Sequence, residues 1–179
     1  MADTPHAESK WATVWSGGRR KLARDPVLGP WVKEIGTIRV LVGEDDPFPY
    51  LVRTICYQQL AGRAASTIHS RLVEALGGEV TTRKVLRVRE STLKKAGLSQ
   101  AKCAAIRDLA SKISVGDVVV SDLSEQSDQE VIRRLVQVRG IGVWTAQMYL
   151  MFRMRRPDIW PTGDLGVRKG FAKAHGLKN

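Results

Sequence analysis

With 179 residues, 43% hydrophobic and 26% charged, the chain is long enough to bury a core, as one domain or as two small lobes sharing one. Its formal charge is +11, from 29 basic against 18 acidic side chains, which favours a polyanionic partner, because phosphate neutralisation supplies most non-specific nucleic-acid affinity. No apolar run reaches the roughly 20 residues that cross a bilayer, and the opening Met-Ala-Asp-Thr-Pro-His lacks the basic-then-apolar order of a signal peptide, so a cytoplasmic protein with no membrane role is expected.

Residues 1–24 read as a loosely ordered arm, with Trp11 and Trp15 as its candidate tethers. Asp25-Pro26 predicts a helix start, Asp as N-cap and Pro in the first turn. Leu28, Trp31, Val32 and Ile35 follow at helical spacing as far as Gly36, and Pro30 fits only within a first turn. Gly43 to Pro49 is an acidic turn that leads through Phe48 and Tyr50 into a helix containing Leu51, Ile55 and the pair Gln58-Gln59. Leu60-Ala61-Gly62 breaks that helix. Ala64–Leu76 is amphipathic, with Ala65, Ile68, Leu72, Val73 and Leu76 on one face, and Gly77-Gly78 closes it. Short helices are predicted at Thr82–Val88 and Ser91–Ala96, then a turn in which Ser99 caps a helix from Gln100 to Ile113. Val115–Val120 is β-branched but short and without an obvious partner strand, so it reads as an extended linker. Ser127-Asp128-Gln129-Glu130 is a capping box, with Glu130 reaching back to the cap of a helix through Val136. Further helices are predicted from Trp144 to Phe152 and from Asp164 onward. The class is all-α, with no internal repeat.

Cys56 and Cys103 sit in apolar, helix-like stretches and read as buried free thiols. Two cysteines cannot hold a four-cysteine iron–sulfur cluster. His6, His69 and His175 are scattered, with no metal-ligand spacing.

The segment Val138-Arg139-Gly140-Ile141-Gly142 is the most informative. Glycines alternating with an aliphatic residue between two helices let a phosphate approach the backbone. A helix opening at the second glycine points unpaired N–H groups and a positive dipole end at that anion. Such a turn grips a strand without reading bases; the plainer reading is a helix-to-helix turn with a glycine cap. The basic residues Arg153, Arg155, Arg156, Arg168, Lys169 and Lys173 follow it, against only Asp158 and Asp164. The loop Arg156-Pro157-Asp158-Ile159-Trp160-Pro161-Thr162-Gly163 ends at Asp164, which reads as the N-cap of the next helix. Its carboxylate also suits a reaction that builds positive charge on a sugar, since a fixed anion stabilises an oxocarbenium-like state and orients water. Asp158, between a proline and an apolar pair, takes a structural role.

These residues carry a resemblance. The run Leu135–Phe171, with Gly-Ile-Gly-x-Trp-Thr-Ala followed by Gly-Asp-Leu-Gly, resembles the helix-hairpin-helix DNA glycosylases, specifically the 3-methyladenine DNA glycosylase II group. Leu51–Ala65 and Ala96–Lys102 resemble the same family, so matching segments span roughly 48–175. The resemblance implies a two-lobed fold with its active site in the cleft between lobes. One lobe would be 25–49 plus 154–179, the other 50–153 with the hairpin. It implies a monomer acting on double-stranded damaged DNA, in the nucleoid of a bacterium or the nucleus of a eukaryote. Asp164 falls on the family's catalytic aspartate. Val138, Arg139, Gly140, Ile141, Gly142 and Thr145 fall on its DNA-backbone grip, and the carbonyls of Val138 and Ile141 fall where the family holds a sodium or potassium ion. No other cofactor is implied. Trp144 occupies the place of the Schiff-base lysine of bifunctional relatives, so hydrolysis without strand cleavage is expected. Gln59 falls on the side chain that fills the gap left by a flipped base, with Leu60 and Gln58 as near alternatives. Trp144, Trp160, Phe48 and Tyr50 are candidates for an electron-rich base pocket, which suits cationic alkylated purines.

The implied activity is excision of 3-methyladenine and 7-methylguanine by a monofunctional glycosylase that initiates base excision repair. A related glycosylase for mismatched or oxidised bases is disfavoured by the missing lysine and cluster cysteines. A non-catalytic damage-binding module is the reading of a different class. The chain ends at Asn179, before the further helices with which family members usually continue, so an exposed apolar strip or a cavity is expected near Leu28, Trp31 and Phe171.

Overall fold

The computed structural model describes residues 16–37 and 46–177. The chain divides into two compact units, Met1–Val42 with Leu150–Asn179, and Gly43–Tyr149. Among the described residues every regular element is helical, as the patterning predicts, and no helix is long and apolar enough to cross a membrane.

In the first unit Trp11 and Trp15 lie outside the described residues, and 16–22, expected as loose arm, are helical (α1). Helix α2 is Gly29–Ile35, three residues later than Asp25-Pro26 predicts. Asp25 instead closes a turn before it, accepting the N–H groups of Val27 and Leu28, each at 2.8 Å. Those two donors, Leu28 foremost, hold its carboxyl below the usual range. The late start puts Pro30 in the first turn of α2, where its missing N–H costs nothing.

The second unit is built from α3 (Pro47–Tyr57), α4 (Gly62–Ala75), α5 (Thr82–Arg87), α6 (Glu90–Lys95), α7 (Gln100–Val115), α8 (Asp128–Leu135) and α9 (Val143–Met148). Predicted caps are in place, Ser99 for α7 and Ser127 for α8; Asp46 caps α3. Helix α7 is the central element, packing on α3, α5 and α6. Its Cys103, Ala105, Ile106, Leu109 and Ala110 bury against a core that includes Leu51, Val52, Ile55, Val85 and Leu93. Both cysteines are buried free thiols, and burial pushes Cys56 up to about 12, which leaves it unreactive. The Val115–Val120 stretch forms no strand. Val115 ends α7, Val118 is buried, and the chain reaches a 3₁₀ turn at Leu123–Glu125.

The capping box is only half formed. Ser127 accepts the Glu130 N–H at 3.2 Å, but Glu130 does not reach back. Its carboxylate is taken by Arg133 at 2.7 Å and Arg134 at 2.6 Å, and Arg134 also binds Asp122 at 2.7 Å. Charge-assisted bonds to two guanidinium groups outcompete one backbone donor. Arg133 and Arg134 hold the Glu130 carboxyl at about 2, below its ordinary 4.5. A depressed carboxylate stabilises the fold above its unfolded pKa and stops doing so as pH falls through the folded one. Glu130→Gln is therefore expected to melt below the wild type at pH 7. The two melting temperatures should converge between pH 4.5 and 2. Parallel curves over that range would remove the pair from the stability of α8.

A π-helical segment, Tyr149–Arg153, follows α9 in the chain, and in the first unit α10 is Leu165–Ala174. Trp31 and Phe171 are exposed and Leu28 is half-buried.

Candidate active site

Between α8 and α9 the chain turns through Val136–Gly142. The side chains of Val138 and Ile141 are buried and anchor the turn, while Arg139, Gly140 and Gly142 are exposed. Gly140 is left-handed at φ +78°, and a Cβ there would stand 3.2 Å from the Cβ of Ala105 on α7. Helix α9 opens at Gly142 as the glycine pattern predicts, and no side chain caps it. Its first-turn N–H groups thus form a positive end suited to a phosphate oxygen.

Three side chains that the sequence did not single out for this role hold the hairpin backbone. Gln58, at the end of α3, donates its amide to the Gly140 carbonyl at 2.9 Å and to Thr145 Oγ at 3.3 Å. Lys112 on α7 donates to the Gln137 carbonyl at 2.6 Å. Asp108, one turn earlier on α7, accepts the Arg139 N–H at 2.7 Å and pairs with Lys112 at 2.8 Å. Arg139 therefore offers its side chain, not its backbone donor, to a strand. Burial alone would raise the Asp108 carboxyl, but the Arg139 N–H and the Lys112 ammonium outweigh it and the net direction is down. Asp108→Asn keeps an acceptor for Arg139 and loses the charge, so it should cost on the order of 1 kcal/mol in urea unfolding at constant m-value. An unchanged midpoint would show that the charge adds nothing.

With Gln58 committed to the hairpin, Gln59 and Leu60 remain as the candidates for a gap-filling side chain. Both are exposed, and Gln59 holds φ +56°, sparsely populated for a non-glycine residue. Lys102 steadies the end of α3 just before them, donating to the Cys56 carbonyl at 2.7 Å, and burial pulls its ammonium pKa down.

Asp164 is the N-cap of α10, as predicted, with Oδ1 accepting the Val167 N–H at 2.8 Å. The cap fixes a half-buried carboxylate in one orientation. Asp158 is exposed in the preceding loop. Trp160 is 61% exposed and meets Phe171 edge-on at 6.1 Å between ring centroids. Arg168, Lys169 and Lys173 are exposed along α10. In the second unit Trp144 is 44% exposed in the first turn of α9, and Tyr50 packs edge-to-face on Tyr149 at 5.6 Å. Phe48, expected in the pocket, is a core residue of the first turn of α3 at 3% exposure. Pro47 starts the helix beside it, with Asp46 as cap.

A family model described as HhH-GPD superfamily base excision DNA repair protein matches residues 52–179. The chain belongs to that superfamily. Among HhH-GPD relatives, DNA-3-methyladenine glycosylase 1 of Schizosaccharomyces pombe is 31% identical over 151 residues, covering 82% of this chain and 66% of its own length. DNA-3-methyladenine glycosylase of Saccharomyces cerevisiae is 33% identical over 167 residues, covering 85% of this chain and 56% of its own. The chain thus spans less than two thirds of either relative. A solved structure of the Schizosaccharomyces pombe 3-methyladenine DNA glycosylase (Mag1) in complex with abasic DNA superposes with TM-score 0.80 at 27% identity, covering 91% of this chain and 82% of that one.

Proposed function

We propose that the protein is a monofunctional DNA glycosylase that hydrolyses the N-glycosidic bond of alkylated purines in double-stranded DNA, of the 3-methyladenine and 7-methylguanine type. The observation that carries this reading is the Asp164 carboxylate, held in place by its own helix cap in the segment Gly163-Asp164-Leu165-Gly166. The hairpin and the exposed Arg139 hold the strand by its phosphates, and Arg168, Lys169 and Lys173 add to the attraction. Gln59 or Leu60 enters the stack and the damaged nucleotide swings out. As the C1′–N bond breaks, its electron pair leaves with the base and positive charge builds on the sugar. Asp164 stabilises that charge and orients a water, whose oxygen bonds to C1′ and whose proton it accepts. Alkylation already makes the base cationic, so the leaving group needs no strong acid, and an aromatic face from Trp144, Trp160 or Tyr50 attracts it. Trp144 supplies no amine, so no Schiff base forms and the strand stays uncut.

The superfamily's alkali cation fits the hairpin's donor chemistry. Backbone carbonyls are hard, uncharged oxygen ligands, and the Val138 carbonyl accepts only the Ile141 N–H, at 3.0 Å, among the bonds described, leaving a lone pair. Bound there, the ion adds positive charge for a phosphate.

The deciding experiment is release of free base from methylated duplex DNA alongside a panel of mismatched and oxidised lesions. Release of methylated purines without strand cleavage supports the reading. Release from oxidised or mismatched bases only, or tight binding with no release from any lesion, overturns it in favour of a relative with another substrate or a damage-binding module.

A further inference from the structure

Helix α10 contains two glycines on ordinary, non-left-handed backbone, Gly166 and Gly170, both exposed. Neither is required by conformation, and each costs the helix stability relative to alanine. Their surroundings differ. A Cβ on Gly170 would meet nothing within 4 Å, whereas a Cβ on Gly166 would lie 3.1 Å from Oδ1 of Asp164. That oxygen is the one that accepts the Val167 N–H at 2.8 Å, so it is already held from the other side. A methyl at 166 would push it off its donor or rotate the carboxylate.

We propose that Gly166 is a positioning residue for Asp164: the absence of a side chain there leaves the carboxylate seated on its cap in the orientation used on the sugar. The proposal rests on the reading of Asp164 as the catalytic group. Loss of a helix former at this position is a cost accepted for geometry, a trade seen where stability and activity compete.

Gly166→Ala and Gly170→Ala make the same chemical change on one helix and separate the two roles. Gly170→Ala should melt above the wild type, whereas Gly166→Ala gains the same helix propensity but weakens the cap and should melt near it. Gly170→Ala should keep the wild-type single-turnover rate of base release. Gly166→Ala should lower that rate about tenfold, since displacements of an ångström at a reacting group cost about a hundredfold, with the Kd for duplex unchanged. Equal rates in the two variants overturn the proposal, and so does a lower rate in Gly166→Ala with the Asp164 cap bond unchanged. Crystal structures of both variants supply a second readout that does not depend on activity. The distance from Asp164 Oδ1 to the Val167 nitrogen should lengthen in Gly166→Ala and stay near 2.8 Å in Gly170→Ala. If the wild type releases no base, the functional reading falls by itself, and the two distances still decide whether Gly166 positions the carboxylate.

Discussion

Asp164→Asn is expected to cut release of methylated purine about 10²- to 10³-fold, the usual loss when one preorganised electrostatic group is removed from a reacting centre. The same variant should melt within a fraction of a kcal/mol of wild type, because asparagine caps a helix about as well as aspartate. Its Oδ still accepts the Val167 N–H. Duplex affinity should hold or rise slightly, since a negative charge has been taken from a surface that meets phosphates. Asp164→Ala shows the contrast. It loses the chemistry to a similar extent and also gives up about 1 kcal/mol of cap. Single-turnover release, melting and duplex binding measured together thus assign each loss to its cause. Full activity in Asp164→Asn would take the aspartate out of the chemistry and leave it only a cap.

Local sequence carried the helices and much less of what fixes them. Helices α4 and α7 repeat apolar residues every three to four positions, and Ser99 and Asp164 sit directly before their helices, so periodicity and capping chemistry alone locate them. Asp25-Pro26 misled because the same residues that start a helix also close a turn, and only the position of Pro30 decides between them. Glu130 misled because its competitors, Arg133 and Arg134, lie within one turn and bind it more strongly than a backbone donor does. The hairpin was legible as a pattern of glycines, yet its supports were not. Gln58 lies 82 residues before Gly140, and Asp108 lies 31 before Arg139, so no local rule pairs them. Phe48 shows the limit from the other side. Aromatic character makes a residue eligible for a pocket, but only packing decides whether its face is free.

Gly140→Ala tests whether those supports dominate the backbone. A left-handed alanine costs about 1–2 kcal/mol, and the new methyl adds its contact with Ala105 at 3.2 Å. Opposing relaxation are the Gln58 bond to the Gly140 carbonyl, worth about 1 kcal/mol, and the Asp108 bond to the Arg139 N–H, worth about 1.5–3 kcal/mol because it is charged. Together the supports exceed the strain. The single variant is therefore expected to stay left-handed, losing about 2 kcal/mol of stability while duplex affinity stays within about threefold. At the turn itself, adding Asp108→Ala leaves the Gln58 bond against the strain, since the Lys112 bond holds Gln137, three residues before Gly140, and the balance reverses. The hairpin should then relax, with affinity falling about tenfold and the slope of log K against log salt shallower by about one, as for a lost phosphate contact. Relaxation also releases the strain, so the double variant should be more stable than the two single losses added together, by about 0.5–1 kcal/mol in a double-mutant cycle. A tenfold affinity loss in Gly140→Ala alone would reverse the ranking: the strain would then outweigh both supports, and the grip on the strand would depend on glycine itself.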